Sequence, residues 1–230
     1  MERFVRASLI GLVMLVTATG VHGQWRVGVS GGGVYNWYSI DTRYQTDFHY
    51  DGEWGWSAAV FGQYNFLPWL GLRAEIEAVE KSYRFYRTGM YAATNYTTRN
   101  TYVQLPVMAE FRFGGALRKP GMAIHGFVHV GVYAGYWAAG QQRGTICNPM
   151  TGKTEKVNQA YPFMSERDRR ADFGPAGGIG LEYQPAAHWA VHVEGRCYYG
   201  MISTVKPYME VRDSRYHTTV GIQAGVSYVF

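Results

Sequence analysis

Residues Tyr216 to Phe230 end the chain with the sequence YHTTVGIQAGVSYVF. From Val220 onward, apolar residues alternate with small or polar ones, and this period of two predicts a β-strand with one apolar face. A soluble protein would bury that face against a second layer, but the rest of the chain repeats the same pattern without any candidate helix to form the layer. A membrane barrel needs no second protein layer, because lipid covers its outer face.

The amino-terminal end of the chain has the features of an export signal. Two arginines precede the apolar run Leu9–Val16, and small residues lead up to Gly23. We therefore predict that residues 1–23 are a signal peptide and that residues 24–230 form one barrel domain. The alternative is an uncleaved anchor, but the apolar run is only about half of the ~20 residues that a membrane-spanning helix needs.

Composition limits the class of protein. The 230 residues carry a formal net charge of +5, include 29 glycines and are 16% aromatic, while 47% are hydrophobic. This balance excludes a bundle of membrane helices but suits a barrel with a polar lumen.

The sequence shows no pattern typical of nucleic-acid or nucleotide binding. Lysine and arginine form no stripe, so nucleic acid is not an expected partner. Gly31–Gly33 lacks the Gly-Lys-Ser/Thr of a phosphate-binding loop, so we expect no cofactor there and interpret these glycines as a bend in a strand.

Eight segments follow the period-two pattern between glycine, proline and asparagine breakers. They run approximately over Trp25–Asn36, Trp54–Phe66, Gly71–Phe85, Thr101–Phe113, Met122–Trp137, Asp172–Tyr183, Trp189–Gly200 and Arg215–Phe230. Tight connections alternate with long ones, of which Ala138–Arg170 is the longest. The order predicts an all-β fold, an eight-stranded antiparallel up-and-down transmembrane β-barrel with both termini in the periplasm.

Charged residues of the predicted strands fall almost entirely on one parity. Because a lysine or arginine that faces lipid at mid-bilayer costs roughly 2–4 kcal/mol, this parity should face the lumen. The lumen of an eight-stranded barrel is just wide enough to be filled by side chains, so we predict a network of paired charges inside it. Its members would be Arg26, Arg73, Glu75, Glu77, Lys81, Glu110, Arg112, His125, His129, Asp172, Glu182, His192, Glu194 and Arg196. Glu80 breaks the parity, which places it above the hydrocarbon or beside a β-bulge.

Aromatic residues concentrate near the predicted strand ends, where two girdles should meet the lipid headgroups. The girdle candidates are Trp25, Tyr35, Trp37, Trp54, Trp56, Tyr64, Phe66, Trp69, Phe113, Tyr136, Trp137, Tyr183, Trp189, Tyr228 and Phe230. Trp37, Trp54 and Trp137 are the candidates for exceptions, either as fillers of the lumen or as loop anchors.

Three motifs stand out along the predicted strands: TYVQLPVMAEFRF at Thr101–Phe113, DFGPAGGIGLEY at Asp172–Tyr183 and EGRCYYG at Glu194–Gly200. Together with a last strand that closes on Phe230, they resemble the motifs of the PorT-like outer-membrane β-barrel family. The resemblance implies an outer-membrane protein of a Gram-negative cell, inserted by the barrel-assembly machinery, with Phe230 as the assembly signal. The namesake of the family takes part in type IX secretion. The family supplies no catalytic residues, and the long third loop of this chain departs from its pattern.

Two histidine clusters invite a chemical interpretation. His125 and His129 share the inward parity of one strand, and His192 and Glu194 share that of another. Such a set could hold a metal ion, or orient a nucleophile as in outer-membrane lipid hydrolases. No suitably placed lipid-facing serine accompanies them, and a filled lumen demands many hydrogen-bonding groups. We therefore predict that they join the lumen network, with no metal site and no catalytic residue.

The predicted outer loops are rich in tyrosine and arginine. They carry Arg43, Tyr44, Tyr50, Tyr86, Arg87, Tyr91, Tyr96, Arg99, Arg143, Tyr161, Arg167, Arg169, Arg170 and Tyr208. These residue types are enriched at protein-binding hot spots, but arginines at the outer rim also pair with lipopolysaccharide phosphates. We favour lipopolysaccharide and outer-membrane lipid as partners, with envelope or secretion proteins as further candidates. The two cysteines, Cys147 and Cys197, leave a single disulfide open.

Together these features predict a non-enzymatic outer-membrane β-barrel protein with an envelope structural, adhesion or secretion-associated role. The alternatives are an outer-membrane lipid-modifying enzyme that uses histidine and glutamate near the rim, and a soluble ligand-binding barrel of the lipocalin type.

Overall fold

The computed structural model describes residues 24–41, 47–89, 92–114, 123–148, 150–206 and 214–230. The predicted signal peptide lies outside these ranges. Within them, no helix is both long and apolar enough to cross a membrane.

The described residues form nine β-strands. They are β1 (Gln24–Asp41), β2 (Phe48–Leu67), β3 (Leu70–Arg87), β4 (Asn95–Phe113), β5 (Ala123–Cys147), β6 (Thr154–Ala160), β7 (Ala171–Ala186), β8 (Trp189–Tyr199) and β9 (Ser214–Val229). Eight of them pair antiparallel in the closed order β1-β2-β3-β4-β5-β7-β8-β9, and β9 returns to β1. Closure leaves the barrel wall without an unpaired edge, which confirms the predicted architecture.

The prediction of one long loop between Ala138 and Arg170 is wrong. Strand β5 continues to Cys147, where its upper part pairs with β4 on one side and with β6 on the other. The sequence of this extension, AAGQQRGTIC at Ala138–Cys147, has no apolar face. An alternating pattern is required only where one face meets lipid, so a strand that stands above the membrane does not show it.

The outward face of the wall carries the apolar band. Val60, Ile76, Leu181 and Ile222 are examples, each more than 60% exposed. Aromatic girdles flank the band, with Trp25, Trp69 and Trp189 near the tight turns and Trp37, Trp54, Tyr136 and Tyr199 near the long loops. Of the three candidate exceptions, only Trp137 is one: it is 4% exposed and lies inside the lumen, whereas Trp37 is 47% and Trp54 is 70% exposed.

Glu80 points outward, in line with its parity. Its carboxylate accepts hydrogen bonds from the Trp56 indole at 3.2 Å and the Ser82 hydroxyl at 3.0 Å. The neighbouring strand β2 shifts its register between Gly52 and Ser57, opposite this part of β3. The bulge and the girdle tryptophan place Glu80 at the upper edge of the apolar band.

The wall is taller on one side than on the other. Strand β5 has 25 residues and β8 has 11, whereas about 9–11 residues suffice to cross the hydrocarbon. The long-loop end therefore stands high along β2 to β6 and low along β7 and β8. The β6–β7 loop ends on the low side at Ala171, and the β8–β9 loop begins there after Tyr199. Both points lie at the level of the girdle.

Candidate functional site

The half of the lumen near the tight turns is filled by paired charges, which we call the ionic layer. Its members are Arg26, Arg73, Glu75, Glu77, Glu110, Arg112, His129, Glu182, Glu194 and Arg196. Alternation along the strands aims each of these side chains inward, because the opposite face of every strand is the apolar one.

Glu75 stands at the centre of the ionic layer. Its Oε1 accepts from Arg73 Nε at 2.5 Å and from Arg196 Nη2 at 2.9 Å, while Arg196 Nη1 reaches its Oε2. The Arg73 guanidinium also lies 3.6 Å from the centroid of the Phe61 ring. The attraction between the carboxylate and the two guanidiniums compensates part of the desolvation cost of burying all three charges.

His129 links two further carboxylates. Its Nε2 lies 2.8 Å from Glu110 Oε2, and its Nδ1 lies 3.1 Å from Glu194 Oε2. Glu110 also accepts from Arg112 Nε, and Glu194 pairs with Arg196. The imidazole thereby connects strands β4, β5 and β8 across the lumen.

Two other carboxylates complete the ionic layer in different ways. Glu182 accepts from Arg26 Nη1 at 2.7 Å and from Arg112 Nη2 at 3.3 Å. Among the described residues, the hydrogen-bond partners of Glu77 are all neutral: Tyr198 Oη donates at 2.6 Å, Gln223 Nε2 at 2.7 Å and Gln104 Nε2 at 2.6 Å. Several hydrogen bonds to one buried carboxylate stabilise its charge without an ion pair.

The structure brings together twelve of the fourteen residues expected for the lumen network, the Lys81–Asp172 pair included, and leaves two outside it. His125 points inward but is half-buried, and within the described residues no hydrogen bond joins it to the ionic layer. His192 is buried between Phe61 and Phe127, with ring centroids 5.6 and 6.2 Å away. Its ring lies against Gly225, where a Cβ would come within 2.4 Å of the imidazole, so both residues are fixed by packing.

Neutral hydrogen-bonding residues are the part of the network that the sequence analysis missed. Gln63 donates to Glu110 at 2.6 Å, Gln104 donates to Glu77 at 2.6 Å, and Gln223 bridges Glu77 and Ser57. Their inward parity was available as a signal: Gln104 shares the parity of Glu110 and Arg112 on β4, whereas Gln63 on β2 and Gln223 on β9 alternate with apolar residues.

Lys81 marks the upper boundary of the ionic layer. Its ammonium lies 2.6 Å from Asp172 Oδ2, which also accepts from the Tyr133 hydroxyl at 3.1 Å. The same ammonium lies 4.8 Å from the Tyr102 ring centroid and 4.7 Å from that of Tyr133. Cation–π contacts thus join the charges below to the rings above.

Aromatic side chains fill the half of the lumen near the long loops, and we call them the aromatic layer. Its members are Tyr38, Tyr83, Tyr102, Trp137, Tyr161, Phe163 and His217. The Tyr38 and Tyr83 rings stack at 4.2 Å, and those of Tyr102 and Trp137 at 5.9 Å. A cavity of about 10 Å³ remains among these rings, which is about the space of one water molecule.

Two of these rings come from a loop and not from the wall. Tyr161 and Phe163, which follow β6, pack on Trp137 with ring centroids 4.8 Å away in each case. The Tyr161 hydroxyl accepts from Arg167 Nη2 at 2.7 Å and faces the Asp168 carboxylate at 3.4 Å. Burial and the Asp168 charge raise the pKa of Tyr161 above its ordinary value, so the phenol stays neutral.

Among the described residues, no group of three or more histidine, cysteine, aspartate or glutamate side chains is arranged to hold a metal ion. His129 and His192 are 1% and 4% exposed and face the lumen, away from the lipid surface. Cys147, at the end of β5, and Cys197, on the outward face of β8, are both free thiols.

Phe230 follows β9 at the tight-turn end and is 67% exposed. Its backbone N–H donates to the carbonyl of Trp25 at 3.0 Å, and its ring lies 5.1 Å from that of Tyr228.

Of the tyrosines and arginines assigned to the outer loops, Arg43, Tyr44, Tyr91 and Tyr208 lie outside the described residues.

A closed antiparallel ring with an apolar outer band, two aromatic girdles and a charged lumen defines a β-barrel of the outer-membrane class. The chain belongs to the family of outer membrane protein beta-barrel domains, whose model matches residues 17–206. This membership supports an outer-membrane location. No curated protein matches the chain in sequence.

Several solved structures are similar to this chain at low sequence identity. OprG of Pseudomonas aeruginosa is 10% identical with a TM-score of 0.47, and the match covers 89% of this chain and 95% of that one. Neisserial surface protein A is 11% identical with a TM-score of 0.45, covering 89% and 96%. Ail of Yersinia pestis, in complex with the heparin analogue sucrose octasulfate, is 12% identical with a TM-score of 0.42, covering 90% and 99%.

Proposed function

We propose that this protein is a non-enzymatic, non-conducting outer-membrane barrel that acts through its long-loop end, in envelope structure, adhesion or the assembly of a secretion apparatus. The filled lumen is the observation that carries the proposal. The ionic layer occupies one half of the interior and the aromatic layer occupies the other. A barrel filled in this way offers a rigid platform for loops, and rigid scaffolds that present loops commonly serve binding.

The proposal places both termini in the periplasm and the long loops outside the cell. It is supported by the grouping of the tight turns with Phe230 at one end and of the long loops at the other. Lipopolysaccharide would surround the outer girdle, and the barrel-assembly machinery would read the terminal strand. Biotinylation of intact cells by an impermeant reagent should label Lys153 on the β5–β6 hairpin, and exclusive labelling after disruption of the envelope would contradict this orientation.

Measurement of conductance tests the closed lumen. The refolded mature chain, inserted into planar bilayers, should give no stable channel, because the side chains that fill the lumen are held by ion pairs and ring contacts. A steady ohmic current from single insertions would contradict the proposal.

Lipid A extracted from a deletion strain should have an unchanged chemical profile, and the appearance of an unprocessed species would instead favour the lipid-modifying enzyme. The filled interior offers no support for a ligand-binding barrel of the lipocalin type.

Phe230 is proposed as the assembly signal. Its exposed ring and carboxy-terminal position leave it accessible at the rim while the strand pairs with β1 and β8. Deletion of Phe230 should abolish accumulation in the outer membrane while export across the inner membrane continues, measured by fractionation and immunoblotting. Normal levels in the outer membrane after the deletion would defeat this assignment, and deletion of Gln24, the first residue of β1 at the same end of the barrel, serves as the control.

The finer assignment to a PorT-like role in type IX secretion rests on the three motifs and on the closing phenylalanine. Crosslinking and mass spectrometry on intact envelopes should recover secretion or envelope proteins joined to the loops or turns of the barrel. Unchanged secretion of type IX substrates in a deletion strain would remove the secretion role and leave envelope structure and adhesion.

A further inference from the structure

A cleft of about 540 Å³ lies at the long-loop end, on the low side of the wall, and we call it the rim cleft. It is lined by residues 163–165 and 168–170 of the β6–β7 loop, by Ala171 at the start of β7 and by Lys206 of the β8–β9 loop. Its volume lies within the range of small-ligand sites, about 300–1,000 Å³.

The two loops that form the rim cleft are fixed to each other by backbone contacts. The Arg169 N–H donates to the Thr204 carbonyl at 2.8 Å, and the Lys206 N–H donates to the Arg167 carbonyl at 2.7 Å. Asp168 and Val205 form an antiparallel bridge between these bonds. The cleft is therefore held in shape before any ligand binds, which lowers the entropic cost of binding.

The charge of the rim cleft is positive. Its lining contains one carboxylate, Asp168, which is already engaged: it accepts from Arg167 Nε at 2.8 Å and from the Met164 N–H at 2.9 Å. The cations of the lining are Arg169, Arg170 and Lys206. Within the described part of the chain, no hydrogen bond or ion pair engages the Arg169 guanidinium.

Arg170 connects the rim cleft to the girdle. Its guanidinium lies 3.8 Å from the Phe163 ring centroid, and its Nη1 donates to the Tyr136 hydroxyl at 3.0 Å. Tyr136 is 52% exposed on the outward face of β5, and it pairs in the ladder with Ala171, the first residue of β7. Since girdle tyrosines lie at the level of the headgroups, the cleft lies at that level too.

We propose that the rim cleft binds the phosphate groups of a phosphorylated glycolipid headgroup in the outer leaflet. Arginine guanidiniums match phosphate oxygens in a bidentate manner, and two adjacent arginines with a lysine suit a sugar that carries more than one phosphate. The height of the cleft favours a lipid over a soluble anion. The inference rests on the proposed orientation, with the long loops in the outer leaflet, and adds a site and a ligand class to it.

The test uses the full mature chain in detergent and counts bound lipid by native mass spectrometry. The probes are bisphosphorylated lipid A, dephosphorylated lipid A with the same acyl chains, and glucosamine 1-phosphate as a soluble sugar phosphate. The wild-type barrel should bind the bisphosphorylated lipid at least about tenfold more tightly than the dephosphorylated one, as expected for the gain of one charged hydrogen bond. The double variant Arg169→Ala/Arg170→Ala should lose this preference.

Lys153→Ala/Lys156→Ala is the matched control, because it removes two exposed cations from the β5–β6 hairpin at the same end of the barrel. It should retain the preference, and an equal loss in the control would overturn the site. Heat-modifiable migration on gels reports folding of each variant. If the double arginine variant does not fold, Arg169→Ala alone, whose guanidinium has no partner within the described residues, should still weaken the preference several-fold.

Two further outcomes would overturn the inference. One is a wild-type barrel that binds both lipids equally. The other is full competition by glucosamine 1-phosphate at the concentration of the lipid, which would assign the cleft to a soluble ligand. Conductance and surface labelling of the wild-type protein test the proposed function separately. If the barrel is closed and correctly oriented but shows no lipid preference, only the assignment of the rim cleft is disproved.

Discussion

The ionic layer and the aromatic layer close one lumen with different chemistry, and they draw on different parts of the chain. Every member of the ionic layer lies on a strand of the wall, as Glu75 on β3 and Arg196 on β8 do. The aromatic layer takes Tyr161 and Phe163 from a loop. The strand ladder thus fixes the lower closure, whereas the upper closure depends on a loop that also lines the rim cleft. Under the proposed function, surface binding would belong to the upper closure, at the end of the barrel opposite the ionic layer.

Glu75→Ala should have the largest effect, because it removes the carboxylate shared by Arg73 and Arg196 and leaves their charges buried. Breaking a buried ion pair on one side costs about 3–5 kcal/mol. Urea titration of the refolded protein, followed by gel mobility and tryptophan fluorescence, measures the change in the free energy of unfolding. The variant Glu75→Met/Arg196→Met should recover part of the loss, because it removes charges of both signs. A loss below 1 kcal/mol in Glu75→Ala would show that the ionic layer does not stabilise the lower half.

Trp137→Ala should have the next largest effect and should act mainly at the long-loop end. Removal of a buried tryptophan costs about 3 kcal/mol at the lower end of the usual range, since the loop can relax into part of the space. Tyr161 and Phe163 would lose their main ring contact, so the loop that carries them should become more sensitive to protease while the wall stays intact. Limited proteolysis with mapping of the cut sites measures this.

A matched control for the tryptophan variant is Trp54→Ala, on the outward face, where the side chain is 70% exposed. It should leave the pattern of protease cleavage unchanged. Equal sensitivity of the loop in both variants would contradict the assignment of Trp137 to the closure of the upper lumen.

The two layers were not equally open to prediction from the sequence. Parity alone placed Glu75, Glu110 and Arg196 in the lumen, because charge and lipid exclude each other along every strand. Parity does not specify partners, however: Arg196 and Glu75 are 121 residues apart in sequence and meet across the lumen. That contact depends on how far the strands are staggered around the barrel and on the rotamers chosen there.

The aromatic layer was predictable only in part, for two physical reasons. Above the membrane both faces of a strand meet water, so the alternation that marks β5 disappears after Trp137 and the sequence there does not distinguish a strand from a loop. Tyr161 and Phe163 belong to a segment with no periodicity, and only the fold brings them onto Trp137. The rim cleft is not predictable from the sequence for the same reason, although Arg169 and Arg170 are recognisable there as loop cations.

Glu80→Gln should have the smallest effect and locates the boundary between the apolar band and water. Its ion pair with Arg99 is long, at 4.0 Å, and the Arg99 side chain is 64% exposed, so the pair should contribute less than about 1 kcal/mol. Glutamine keeps one oxygen acceptor for the Trp56 indole, and its amide NH2 can donate to the Ser82 hydroxyl oxygen. The free energy of unfolding, measured by urea titration in lipid vesicles, should therefore change by less than that amount. A carboxylate inside the hydrocarbon would instead carry a desolvation cost, and neutralising it would stabilise the barrel measurably. Stabilisation well above 1 kcal/mol would therefore show that the apolar band extends beyond Glu80 and that the rim cleft lies higher relative to the headgroups than inferred. A change near zero would agree with Glu80 and the rim cleft at the level of the girdle.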